Sequence, residues 1–201
     1  MVRALRKFRR LFAPAIPPED AEIVCIDLET SNLDARAADV LTIGAVPVRD
    51  RRVVTSERFE AILSSQASTD PEAVKYHRLR PNDLADGEPV REVLARFLGW
   101  LGGRPLLGYC IAFDRTVLDR ALASHGLPEL EVETYDLRDI YRRRFAHQRP
   151  HEHVSGTFDA ILAELGVPVP ARHTAIGDAL AVAYAYLALR YGKGPAAIKK
   201  G

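Results

Sequence analysis

The sequence predicts an α/β domain whose sheet is mixed, antiparallel at the start and parallel after helical crossovers. Three observations point to it. An apolar run, Ile23-Val24-Cys25-Ile26, leads into two acids, Asp27 and Glu29, and reads as a strand buried on both faces. Two further strand-like stretches follow with short polar breaks, as in a β-meander. After them, short apolar runs alternate with segments of helical period.

A chain of 201 residues fits one domain with an ordinary core. With 47% hydrophobic and 27% charged residues, it has the composition of a soluble globular protein. The net charge of +1 supplies no global basic field for nucleic acid. Positive charge is uneven, however: Arg3, Arg6, Lys7, Arg9 and Arg10 crowd one end, and Arg142, Arg143 and Arg144 form a second cluster. Such runs are more often solvated than bound to phosphates or a partner. No apolar stretch is long enough to span a membrane, and the basic N-terminus lacks the apolar segment of a secretory signal. Cys25 and Cys110 both lie in strand-like runs and read as reduced, buried thiols. The expected location is cytoplasmic, with no membrane partner.

The elements follow in order. Residues 1–20 form a basic, Pro-rich appendage, with a short amphipathic helix at 2–12 broken by Pro14, Pro17 and Pro18. The domain proper is expected over 21–192, and 193–201 as a flexible tail. Strands are predicted at 22–28, 41–48 and 53–63, the last two joined by the polar turn Arg49-Asp50-Arg51-Arg52. A long polar connection spans 64–87, with one helical turn at 72–77. Val90, Val93, Leu94, Phe97, Leu98 and Leu101 recur at helical spacing, and Gly102-Gly103 ends that helix. A fourth strand is expected at 105–109, a helix at 113–124, a fifth strand at 132–135 and a helix at 137–145. The tract 146–156, with His147, His151 and His153, reads as a loop. Helices at 157–165 and 174–191 complete the domain.

Alternation along the first strand points Asp27 and Glu29 the same way. Two carboxylates on one side of a buried strand are costly unless their charge is offset, and a hard divalent cation is the simplest means. Alternatively, the strand has ended and both are solvated loop acids. Asp114 stands where a strand gives way to a helix, and sites in open α/β sheets gather at such strand ends. Asp178 lies near the start of the last helix among apolar neighbours. Either could instead be an acid favoured at a helix N-terminus. His173 precedes Asp178 by five residues and cannot share its helix face, so it reaches a common site only from the preceding loop or first turn. Taken alone, it reads more readily as a surface or hydrogen-bonded histidine.

In this context three segments resemble the motifs of the DEDD-type (DnaQ-like) 3′–5′ exonucleases. Asp27-Leu28-Glu29-Thr30-Ser31-Asn32-Leu33-Asp34 resembles the first and Leu107-Gly108-Tyr109-Cys110-Ile111-Ala112-Phe113-Asp114 the second. Arg172-His173-Thr174-Ala175-Ile176-Gly177-Asp178-Ala179-Leu180 resembles the third, in its His-containing DEDDh form. Residues 76–84 and 158–166 resemble intermediate family segments, so the resemblance runs from about 22 to 189. It is nearest the proofreading epsilon-type branch of DNA polymerase III.

The resemblance implies an RNase H-like fold, with a mixed five-stranded sheet in the order 3-2-1-4-5 flanked by helices. It implies that Asp27, Glu29, Asp114 and Asp178 hold two divalent cations, Mg²⁺ or Mn²⁺, and that His173 is the general base. By the same resemblance Thr30, Leu33, Phe113 and His173 contact substrate, although Leu33 and Phe113 could equally be core residues. The family often has His-Asn where this chain has Tyr109-Cys110, and usually Gly where it has Asn32. Asn tolerates positive φ, so a turn at Asn32 is expected to survive.

The function so implied is hydrolysis of phosphodiester bonds from a single-stranded 3′ end, DNA ahead of RNA, releasing nucleoside 5′-monophosphates. The alternatives are an exoribonuclease of the oligoribonuclease or RNase T type and a non-catalytic nucleic-acid-binding module. Another is a subunit tethered to a polymerase or other protein partner through residues 1–18.

Overall fold

A computed structural model describes residues 16–64, 81–146, 156–168 and 171–192. Strand β1 (Ile23–Thr30) lies at the centre of a mixed sheet. Antiparallel β2 (Val40–Arg49) runs along its whole length on one side, and parallel β5 (Leu106–Gly108) pairs on the other. Both β3 (Arg52–Val53) and β4 (Phe59–Ile62) pair with β2, and β6 (Thr134–Asp136) extends the sheet beyond β5. The predicted order 3-2-1-4-5 is therefore present, with one difference: the third strand is two. A 3₁₀ turn at Thr55–Glu57 divides it, and the Glu57 carbonyl accepts the Trp100 indole N–H at 3.0 Å.

Period-two alternation in β1 divides the interior. Val24, Ile26 and Leu28 pack against α2 (Val90–Leu101) and α3 (Ala112–Ser124) through Val93, Leu94, Phe97, Val117 and Leu118. Ile23 and Cys25 face α4 (Leu137–Ala146), α5 (Phe158–Leu165) and α6 (Ala175–Tyr191), meeting a cluster that includes Tyr141, Ile161, Val182 and Tyr186. The helices thus cover both faces, and α1 (Pro81–Ala85) adds one turn before α2. The apolar stripe of α2 is the one its spacing predicts, and Gly102, at φ 59°, closes the helix by donating its N–H to Leu98.

Cys110 departs from expectation. Instead of lying in a strand, it follows β5 in the turn into α3, half-buried and at φ 56°. Asn32 is not among the positive-φ residues; its side chain accepts the Asp34 N–H at 2.7 Å and makes the turn that way. The expectations for residues 1–15, the helical turn at 72–77, the histidine loop at 147–155 and the tail at 193–201 lie outside the described residues. No helix among the described residues is long and apolar enough to cross a membrane.

One glycine sets how the layers meet. Gly44 on β2 pairs with Asp27 on β1, and a Cβ there would collide with the backbone of Ala175 and Ile176 at the start of α6. The helix therefore rests directly on the sheet. Gly44→Ala is expected to lower unfolding stability by about 3 kcal/mol or more, because backbone must move. Denaturant unfolding followed by circular dichroism measures this, and a loss below about 1 kcal/mol would mean that the helix yields easily.

Candidate active site

The alternation that sends Ile23 and Cys25 toward α6 also sends Asp27 and Glu29 there, two and four residues further on. Both acids belong to β1, which continues to Thr30, so neither is a loop residue. The pairing of β1 with β2 shifts register between Glu29 and Thr30, a bulge of the kind found where a strand re-aims its side chains. Asp178 arrives from the first turn of α6, which Thr174 caps by accepting the Gly177 N–H at 3.1 Å. A Cβ on Gly177 would strike the carbonyl of Ala171, so glycine lets the preceding turn fold against the helix.

Carboxylate oxygens of Asp27, Glu29 and Asp178 lie within 4.8 Å of one another. This is a set of hard oxygen donors at a spacing that fits one divalent cation. Asp114 stands beside them from the other layer. Strand β5 ends at Gly108, and the Leu28 N–H donates to Asp114 Oδ1 at 3.2 Å, so this acid is fixed to the backbone between Asp27 and Glu29. The structure thus gathers three of the expected acids into one cluster and sets the fourth against the strand that carries two of them.

Their charges are uncomfortable in the protein alone. Burial, reinforced by the carboxylates of Asp114, Glu29 and Asp178, pushes Asp27 well above the usual carboxylate range. Burial and the nearby Asp178 raise Glu29 to about 7, with Arg172 opposing. Burial likewise raises Asp114 to about 7, against the Leu28 N–H that favours its ionised form. The Thr42 hydroxyl, on the β2 residue paired with Glu29, is buried without a hydrogen-bond partner among the described residues.

The remaining expected residues are dispersed. His173 occupies the turn before α6, at φ 66°, and does not belong to the group of close metal-capable side chains. Thr30 is buried, its hydroxyl donating to the Asn32 carbonyl at 2.9 Å. Leu33 is 53% exposed beyond the end of β1 and is no core residue, whereas Phe113 is half-buried against the α2–α3 core. Arg172 joins the cluster without being among the expected site residues. Its guanidinium sits 2.5 Å from Asp178 and 2.8 Å from Asp159. Its position next to His173 was the only sequence signal, since pairing across loops has no period.

These raised values fix the sign of a pH effect. A carboxyl that holds its proton more tightly when folded stabilises fully below its unfolded value, and that contribution is lost as pH rises through the folded value. For Glu29 the window runs from about 4.5 to about 7. Glu88, held low by Arg96, titrates below it. The metal-free protein is expected to lose about 5 °C in Tm between about pH 5 and 7.5, and saturating Mg²⁺ or Mn²⁺ to abolish the loss. Calorimetry in EDTA and in metal tests this, and a flat metal-free profile would contradict the effect of burial and crowding on these acids.

Comparison with known proteins agrees with this fold. The profile of the RNase_T family, described as exonuclease, matches residues 24–186. DNA polymerase III PolC-type of Listeria monocytogenes is 22% identical over 166 residues, covering 83% of this chain and 11% of that polymerase. The chain thus spans only about a tenth of such relatives. DNA polymerase III subunit epsilon of Escherichia coli is 27% identical over 181 residues, covering 85% of this chain and 72% of that subunit. Among solved structures, Escherichia coli exonuclease I in complex with a dT13 oligonucleotide superposes with TM-score 0.74 at 18% identity, covering 85% of this chain and 41% of that one. An exonuclease X complex with 5′ overhanging duplex DNA gives TM-score 0.65 at 20% identity, covering 83% and 90%. These neighbours share the fold of the sheet and helices described above. With the profile spanning most of the domain, the chain belongs to the RNase_T exonuclease family, the DnaQ-like 3′–5′ exonucleases.

Proposed function

We propose that the protein is a metal-dependent 3′–5′ exonuclease that removes nucleotides from single-stranded 3′ ends of DNA as nucleoside 5′-monophosphates. The observation that carries this is the convergence of Asp27, Glu29 and Asp178 within 4.8 Å on one face at the end of a buried strand. Those three would hold one divalent cation, Mg²⁺ or Mn²⁺, and Asp27 with Asp114 a second. Two such cations, when bound, supply Lewis acidity and charge neutralisation at a phosphodiester undergoing in-line displacement.

The chain's own groups do the rest. Asp27 and Glu29 are presented by a strand paired with β2 along its whole length and with β5 at Val24 and Cys25, so the anionic site keeps its shape. His173, in the turn before α6, serves as general base: its imidazole would accept the proton of the attacking water. Leu33 offers an exposed apolar surface to a terminal base, a contact tolerant of sequence. DNA is favoured over RNA because the relatives are named as DNA polymerase III proteins and the structural neighbours are complexes with oligodeoxynucleotide or DNA. The same relatives support a polymerase as partner, reached through residues 1–18.

Incubation of 5′-labelled single-stranded DNA, and of a matched RNA, with protein and Mg²⁺ or Mn²⁺ is expected to give a ladder shortening from the 3′ end. EDTA or Asp27→Ala should abolish it. Two intact substrates would refute the exonuclease reading, and faster loss of RNA would reassign the substrate. His173→Ala should retain metal binding but lose about 10²- to 10⁴-fold in kcat. A variant as active as wild type would remove His173 from the chemistry.

A further inference from the structure

Arg172 reaches into the acidic cluster itself. Its Nη1 lies 2.5 Å from Asp178 Oδ1 and its Nη2 2.8 Å from Asp159 Oδ1. Its guanidinium carbon stands 4.8 Å over the centre of the Phe158 ring. Phe158 in turn stacks on Tyr109, with ring centroids 4.9 Å apart, and the Tyr109 hydroxyl donates to the Gly156 carbonyl at 2.7 Å. A column of two rings and two carboxylates therefore holds one cation against a side chain that also belongs to the cluster fitted for metal.

Both functions draw on the same carboxylate. An Asp178 oxygen that accepts a charge-assisted bond at 2.5 Å is committed to the guanidinium, and a dication brought to that oxygen would face Arg172 at close range, where like charges repel strongly in a half-buried site. Arg172 can leave Asp178 without losing its other partners, because Asp159 and the Phe158 face lie on α5, not on α6. We propose that Arg172 is the resident cation of the metal-free site: it holds Asp178 among the acids and yields that carboxylate to divalent metal, remaining on Asp159 and Phe158. This rests on the metal-binding reading of the acids. Its consequence is that metal binds by exchange against a built-in competitor, so the affinity of the site is set partly by a residue that is not a ligand.

The test compares wild type with Arg172→Gln by Mn²⁺ titration calorimetry and by Tm with and without metal. The variant is expected to be less stable in EDTA, to bind Mn²⁺ about three- to tenfold more tightly, and to approach the wild-type Tm once saturated. If Arg172 instead merely aims Asp178, the variant will bind Mn²⁺ more weakly and stay less stable when saturated, and the proposal is overturned. Equal affinities overturn it as well. Wild type that binds no Mn²⁺ overturns the metal reading itself, an outcome distinct from either. Should Arg172→Gln not fold in EDTA, Arg172→Lys carries the comparison: it keeps the charge but loses the two-pronged grip, so it should bind Mn²⁺ more tightly than wild type, and affinity equal to or below wild type overturns the proposal.

Discussion

Everything around the site depends on one electrostatic constraint: carboxylates of Asp27, Glu29 and Asp178 are held within 4.8 Å of one another at the end of a buried strand. Left to themselves these groups would separate or take up protons. Packing prevents the first. β1 is paired with β2 from Ile23 to Thr30 and with β5 at Val24 and Cys25, and apolar residues on its two faces belong to two separate cores. The strand has no freedom to turn its acids away, because a rotation that moved Asp27 and Glu29 would also drag Ile23 and Cys25 out of the core.

The third acid depends on backbone contact. Where α6 meets the sheet there is no side chain on the strand side, since Gly44 lies opposite Asp27 and under Ala175 and Ile176. Close approach of helix to strand places Asp178, one turn into α6, near the strand acids. Asp114 comes from the opposite layer and reaches the same strand end because β5 is short. Its carboxylate takes the Leu28 N–H beyond the point where β5 pairs with β1. Acids from both layers can therefore gather at one end of the sheet, with the loop after β1 braced by reciprocal bonds between Ser31 and Asp39.

The chain's departures from its family's usual residues also have local structural partners. Tyr109 provides a ring for Phe158 to stack on and a hydroxyl for Gly156, and Phe158 underlies Arg172. Cys110 adopts a left-handed backbone that Asn accepts more readily, and its N–H donates to Asp136 at 3.3 Å. Asn32 replaces the conformational freedom of glycine with a side-chain turn to Asp34. Through Phe158, the ring of Tyr109 thus links the second motif to Arg172 of the third.

Much of this was legible in the sequence because it is periodic or local. The alternation of β1 placed Asp27 and Glu29 on one side, the spacing of Val90 to Leu101 marked α2, and the order of strands and helices indicated a mixed sheet. The division of the third strand was not legible, since the Trp100 contact that accompanies it joins residues 43 apart. Nor could the sequence show that Arg172 turns toward Asp178 and Asp159, or that Leu33 faces solvent while Phe113 leans on the core. By itself the sequence determined the fold class, the faces of its strands and helices, and the identity of the acids, because these follow from side-chain period and residue type. Only the tertiary structure decided the distances between the acids and the cation that stands among them. Those depend on how closely α6 approaches β2 and on where β5 ends, which are matters of packing between distant segments.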